Sequence, residues 1–154
     1  MGFVMMKIGI ISLVFSLLLS FSNTCTSFAQ EAVGDSERVS HLQYGAVFED
    51  VQVGISTGNI GLLAKHFAPQ IQVNLRGDES GTFSSNQTYY VVQNFFKTRR
   101  IGGFEFSTFA ESDASPYGTG EAELTDRGSR ERVQIYVALS LLGKRYLITQ
   151  LTIY

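Results

Sequence analysis

The chain has 154 residues, with 12 Lys and Arg against 14 Asp and Glu, a net charge of −2. That balance argues against nucleic acid and anionic membrane surfaces as partners, because both select basic faces. One cysteine in the whole chain leaves no intrachain disulfide to hold the fold together.

Lys7, the apolar run Ile8–Leu19 and the small-residue site Ser27-Phe28-Ala29 have the layout of a secretory signal peptide over residues 1–29, cleaved between Ala29 and Gln30. The apolar stretch ends at Phe21, short of the roughly 20 residues of a membrane span, so cleavage is expected and not retention as an anchor. Met6-Lys7 begins a more usual leader than Met1. Ser22-Asn23-Thr24 fit a lipoprotein signal poorly, so Cys25 is expected to leave with the leader. The leader carries one lysine and no acid, so its removal takes the net charge from −2 to −3. What remains is a thiol-free domain with no disulfide, thiol nucleophile or thiolate metal site. A periplasmic or secreted protein of a Gram-negative bacterium is expected, with no membrane attachment once the leader is gone.

Residues 30–40 are polar and read as a flexible lead-in; residues 41–154 read as one domain. Between His41 and Thr57, Val47, Val51 and Ile55 recur every fourth position beside Phe48, one face of a helix. Gly58 ends it and Asn59 can cap a second helix with the stripe Ile60, Leu63 and Phe67, stopped by Pro69. Gln70–Arg76 alternates Ile71, Val73 and Leu75 with polar residues, a half-buried strand, and 77–81 reads as a turn. Ser84 and Gln87 form a capping box that opens a helix through about Thr98. Its apolar face carries Tyr89, Val92, Phe95 and Phe96, with Arg99 and Arg100 at the end that favours cations.

After Gly102-Gly103 the period becomes two, with Phe104 and Phe106 facing one way and Glu105, Glu111 and Asp113 the other. Three more strands follow, about Tyr117–Leu124, Arg130–Ser140 and Arg145–Tyr154, an antiparallel meander. Keeping the aliphatic row Val133, Ile135, Val137 and Leu139 on one face pairs Ala122 with Val133, Gly120 with Ile135 and Glu123 with Arg132. A Leu141-Leu142-Gly143 loop then pairs Val137 with Leu147 and Val133 with Leu151. The opposite, mixed face carries Tyr117, Gln134, Tyr136, Tyr146, Ile148, Gln150 and Tyr154. The helices pack on the aliphatic face, giving an α+β domain, and the glycines of Tyr117-Gly118-Thr119-Gly120 favour a bent sheet.

This order resembles the nuclear transport factor 2-like cone fold: about three N-terminal helices packed on a curved antiparallel sheet. Within it, the chain resembles a domain-of-unknown-function family of small exported bacterial proteins. The resemblance rests on Phe83–Lys97, Gly103-Phe104-Glu105-Phe106, Tyr117-Gly118-Thr119-Gly120 and Glu131–Val137 and covers His41–Tyr154. It implies a fold and a pocket, not an activity, because this scaffold hosts isomerases, dehydratases, cyclases and non-catalytic binders.

No nucleophile elbow, phosphate loop or dinucleotide fingerprint occurs. His41 and His66 have no metal-ligand spacing, so neither a metal nor a cofactor is expected. Tyr89, Phe96 and Phe106 are candidates to line an apolar ligand pocket. Asp50, beside the Val47/Val51 stripe, is the acid considered for acid–base work there. Tyr117, Tyr136, Tyr146 and Ile148 are candidates for a homodimer interface, because exposed tyrosines in a row suit a contact surface. The leading expectation is a non-catalytic exported domain that binds a small apolar ligand or a protein partner. The alternatives are a cofactor-free isomerase or lyase using a pocket carboxylate, and a purely structural dimerisation module.

Overall fold

A computed structural model of the chain describes residues 43–154. The leader, Cys25, the Ala29–Gln30 junction, the lead-in and His41 lie outside the described residues.

Helix α1 spans 43–57 and buries Val47, Phe48, Val51 and Ile55, the stripe its four-residue spacing predicts. Gly58, at φ 69°, ends it in the left-handed conformation that costs glycine nothing. Helix α2 is only Ile60–Ala64, and Asn59 stands at its N-cap without a side-chain cap bond. Phe67 and Pro69 therefore belong not to that helix but to strand β1, Phe67–Leu75. The expected turn at 77–81 is also shorter than read, because β2 covers Ser80–Ser84 and pairs antiparallel with β1. The capping box forms as expected: Ser84 accepts from the Gln87 backbone N–H and Gln87 reaches back to Ser84, opening α3 over Ser85–Thr98.

Strands β3 (Arg99–Ala110), β4 (Tyr117–Asp126), β5 (Ser129–Leu142) and β6 (Arg145–Ile153) complete one six-stranded sheet of order β2-β1-β6-β5-β4-β3. It is mixed and not purely antiparallel, because β1 runs parallel to β6. Among the described residues two helices precede the sheet, and α3 is inserted between β2 and β3, so the expected trio of N-terminal helices is corrected.

The β4–β5 register follows the aliphatic row, with Ala122 opposite Val133, Gly120 opposite Ile135 and Glu123 opposite Arg132. The β5–β6 register differs. Leu142 pairs with Arg145, Val137 with Leu151 and Ile135 with Ile153, and Thr149 is an extra residue between Gln150 and Ile148. One extra residue reverses which side chains face inward. Tyr146 and Ile148 consequently lie in the core, 4% and 1% exposed, and are not on the outer face. The core joins α1, α2, α3 and the inner face of the sheet through Ile55, Leu63, Ile71, Phe95, Phe104, Ile135 and Leu151. Each such side chain contributes about 1.5–3 kcal/mol by leaving water.

Candidate functional site

Two irregularities in β3 build the site. Pairing with β4 shifts between Gly102 and Glu105 and again between Phe106 and Thr108. Gly103, at φ 65°, makes the first shift feasible for the backbone. The second leaves Ser107 as the extra residue, since Phe106 faces Gly120, Thr108 faces Thr119 and Phe109 faces Gly118. Beyond Ser107 the parity inverts, so Phe109 joins Phe106 on the side of α1. Glu111, expected to point away from the helices, lines a cavity there with Phe106 and Phe109.

That cavity has a volume of about 300 Å³ and lies between α1 and β3, lined by Tyr44, Gly45, Phe48, Gln52, Phe106 and Phe109, with Glu49 and Glu111 on its rim. It falls at the small end of ligand sites, which run from roughly 300 to 1,000 Å³. Phe48, 3% exposed, is its floor. The Phe48 ring meets Phe106 at 5.2 Å and Phe109 at 5.1 Å, edge to face, and Phe106 packs on Phe104 at 4.9 Å. Such contacts hold the rings in defined orientations. Phe109 stands 49% exposed at the mouth. Two hydrogen bonds fix the walls to each other: the Phe106 N–H donates to Gln52 Oε1 (3.1 Å) and Ser56 Oγ donates to the Phe104 carbonyl (3.2 Å).

A tyrosine pair closes one side. Tyr44 and Tyr146 meet edge to face at 5.5 Å, and the Tyr146 hydroxyl donates to the Asp113 carbonyl at 2.7 Å. Both phenols are pushed above the usual tyrosine range. Burial is the main cause for each, with the Glu111 charge next for Tyr44 and the Asp113 charge for Tyr146.

The four expected pocket residues do not meet. Phe106 lines the cavity. Tyr89 and Phe96 line a separate groove of about 330 Å³ between α3 and the α1–α2 corner, with Asn59, Gln93 and Lys97. Asp50 lines neither; its carboxylate bonds His66 Nε2 at 2.7 Å, with Lys65 at 4.0 Å. The pairing draws it to the edge of α1 facing the α2–β1 junction. Tyr117 and Tyr136 do share the outer face, rings 5.3 Å apart, with Tyr117 38% exposed. The Tyr136 phenol is pushed up, first by burial and then by Tyr117 and Tyr154. Among the described residues no group of three His, Cys, Asp or Glu side chains is placed to hold a metal ion.

The family model described as "Domain of unknown function (DUF4783)" matches residues 48–154. The chain belongs to this family. A crystal structure of a family protein from Bacteroides ovatus superimposes with a TM-score of 0.59 at 20% identity, covering 67% of this chain and 89% of that one. A protein named Rd1NTF2_05, in a substituted form, gives 0.58 at 14% identity over 72% and 96%. An LEH-like epoxide hydrolase of M. tuberculosis gives 0.54 at 9% identity over 70% and 78%. No curated protein matches the chain in sequence. At these identities the structural likenesses establish the nuclear transport factor 2-like fold alone, and the family model is described only as a domain of unknown function.

Proposed function

We propose that the protein is an exported binding domain whose working part is the cavity between α1 and β3, and that its ligand is small and predominantly apolar. The observation that carries this is the aromatic lining. Phe106 and Phe109 stand against Phe48 and surround open space, and Phe109 leaves half its surface in water at the mouth. An exposed phenylalanine beside a preformed apolar cavity gains by covering itself with a ligand. The export reading rests on the leader, and on release from the membrane after its cleavage.

Gly45 provides the test. It lies on the cavity wall, and a Cβ built on it meets no atom within 4 Å. Gly45→Leu places a side chain in the cavity while replacing glycine inside a helix, a change worth up to about 1 kcal/mol of added stability. Calorimetric titration with 1-hexanol should show binding to the native protein and none to a stable Gly45→Leu variant. Equal binding by both would show that the cavity is not the site.

A catalytic reading is supported by Glu111, a carboxylate beside the Tyr44 phenol at an apolar cavity, the pairing that acid–base chemistry on a carbonyl or epoxide needs. Turnover of such a substrate that disappears in Glu111→Gln would establish it, and its absence leaves the binding function. The outer face, with Tyr117, Tyr136 and Tyr154 beside Gln134 and Gln150, supports a homodimer built on that sheet. Tyr136→Asp should then convert the native mass to that of a monomer; an unchanged dimer would exclude the face.

A further inference from the structure

We propose that the groove between α3 and the α1–α2 corner is a second binding site, and that it takes a small molecule carrying a carboxylate on an aryl-alkyl body. The site is separate from the cavity between α1 and β3 and does not depend on the reading of that cavity. Along α3, Tyr89, Gln93, Phe96 and Lys97 stand at positions i, i+4, i+7 and i+8, so one face presents two rings, an amide and an ammonium in a row. Asn59 and Gly61 belong to the other wall. The rise from Tyr89 to Lys97 is roughly 12 Å. The volume, about 330 Å³, is roughly eleven water volumes. One aryl ring with a short acid-bearing chain suits that length and volume.

The rings are held before any ligand arrives. Phe96 packs edge to face on the fully buried Phe95 at 5.5 Å, and Tyr89 on Tyr90 at 5.5 Å. The Gln93 amide donates to the Tyr89 hydroxyl at 3.1 Å, and that hydroxyl keeps its own proton to donate. The charge in the groove is of one sign. Lys97 is the only charged residue of α3, and residues 51–64, which end α1 and form α2, contain none. Lys97 is exposed and makes no ion pair among the described residues. Arg99, the next cation along the chain, is already held by Asp78 and Asp126. A carboxylate therefore meets a free ammonium, while its aryl body covers the half-buried rings of Phe96 and Tyr89. An ammonium ligand would meet a like charge with no acid among the described lining residues.

Three probes sharing one body test this: 4-phenylbutyrate, 4-phenylbutanol and 4-phenylbutylammonium, titrated into the purified protein at low ionic strength. Binding is followed at the backbone amides of Tyr89, Gln93, Phe96 and Lys97, which report this groove apart from the cavity. The carboxylate should bind there about fivefold more tightly than the alcohol, the scale of one exposed ion pair, and the ammonium most weakly. Lys97→Met keeps the stem and removes the charge, so it should bring carboxylate and alcohol to equal affinity, as should roughly 0.5 M salt. Gly61→Leu should abolish binding of all three, because a Cβ at Gly61 stands on the groove wall and meets only the movable Asn59 side chain, at 3.2 Å. Lys97 is exposed, so its variant should fold even if Gly61→Leu does not. Equal affinities of acid and alcohol for the native protein, or tightest binding of the ammonium, would overturn the proposal. So would a carboxylate advantage that survives Lys97→Met, shifts confined to Phe48, Phe106 and Phe109, or no shifts at all.

Discussion

Gly118 and Gly120 show how side chains on one strand decide what the next can hold. A Cβ at Gly118 would stand 2.8 Å from the Phe106 ring and 3.1 Å from the Phe109 ring, and one at Gly120 would strike the Glu105 carbonyl. The glycines of β4 thus do more than bend a strand: Gly118 leaves the space in which the cavity phenylalanines lie, and Gly120 lets the β3 backbone come close. The opposite situation holds at Thr88, which is fully buried on α3 and whose hydroxyl has no hydrogen-bond partner among the described residues. An unpaired buried hydroxyl costs about 1–3 kcal/mol, and valine has nearly the same shape and helix propensity. Thr88→Val should therefore raise stability by about 1 kcal/mol, read as a higher urea midpoint with an unchanged slope. A lower midpoint would mean that the hydroxyl is satisfied.

Among the elements, the junction of α3 and β3 depends on Arg99. Its guanidinium reaches Asp78 in the β1–β2 turn at 2.8 Å and Asp126 at the end of β4 at 3.2 Å, and lies 4.7 Å from the centre of the Phe95 ring. It thus joins three elements through one mostly buried side chain. Arg99→Met should cost about 1–3 kcal/mol because two half-buried carboxylates lose their partner. Arg99→Lys should recover little of this, since one ammonium cannot span both acids and stack on a ring. Thermal denaturation of the two variants checks the claim; full recovery by lysine would reduce it to simple charge. The sequence already contains the helix faces, the Ser84 capping box and the β4–β5 register, because each depends on contacts local in the chain. The two extra residues, Ser107 and Thr149, are harder to see. Their traces are in the spacing of the rows that face the helices: Phe104, Phe106, Phe109 and Tyr146, Ile148, Leu151, Ile153 each break a two-residue rhythm with one step of three. Reading β3 and β6 as unbroken strands puts Phe109, Glu111, Tyr146 and Ile148 on the wrong faces. The β1–β6 parallel pairing joins segments far apart in sequence, and no periodicity records it. Strand β2, Ser80-Gly81-Thr82-Phe83-Ser84, has the composition of a turn and is a strand because β1 offers it an edge.

For the whole molecule, the fold was legible before the site was. Alternation and capping identify an α+β domain, and the resemblance of its element order adds the nuclear transport factor 2-like class, whereas the cavity exists only after the bulge in β3 turns Phe109 and Glu111 toward α1. Tyr44, Gly45, Glu49 and Gln52 carry no motif; they acquire a role from facing that bulge across the cavity. The central claim is that this cavity is where the protein binds its ligand. Its most direct test is a map of backbone amide chemical shifts during titration with 1-hexanol. The account predicts shifts centred on Tyr44, Phe48, Phe106, Phe109 and Glu111 that are lost in Gly45→Leu. Shifts centred on the Tyr89–Phe96 groove or on Tyr117 and Tyr136, or no shifts at all, would contradict it.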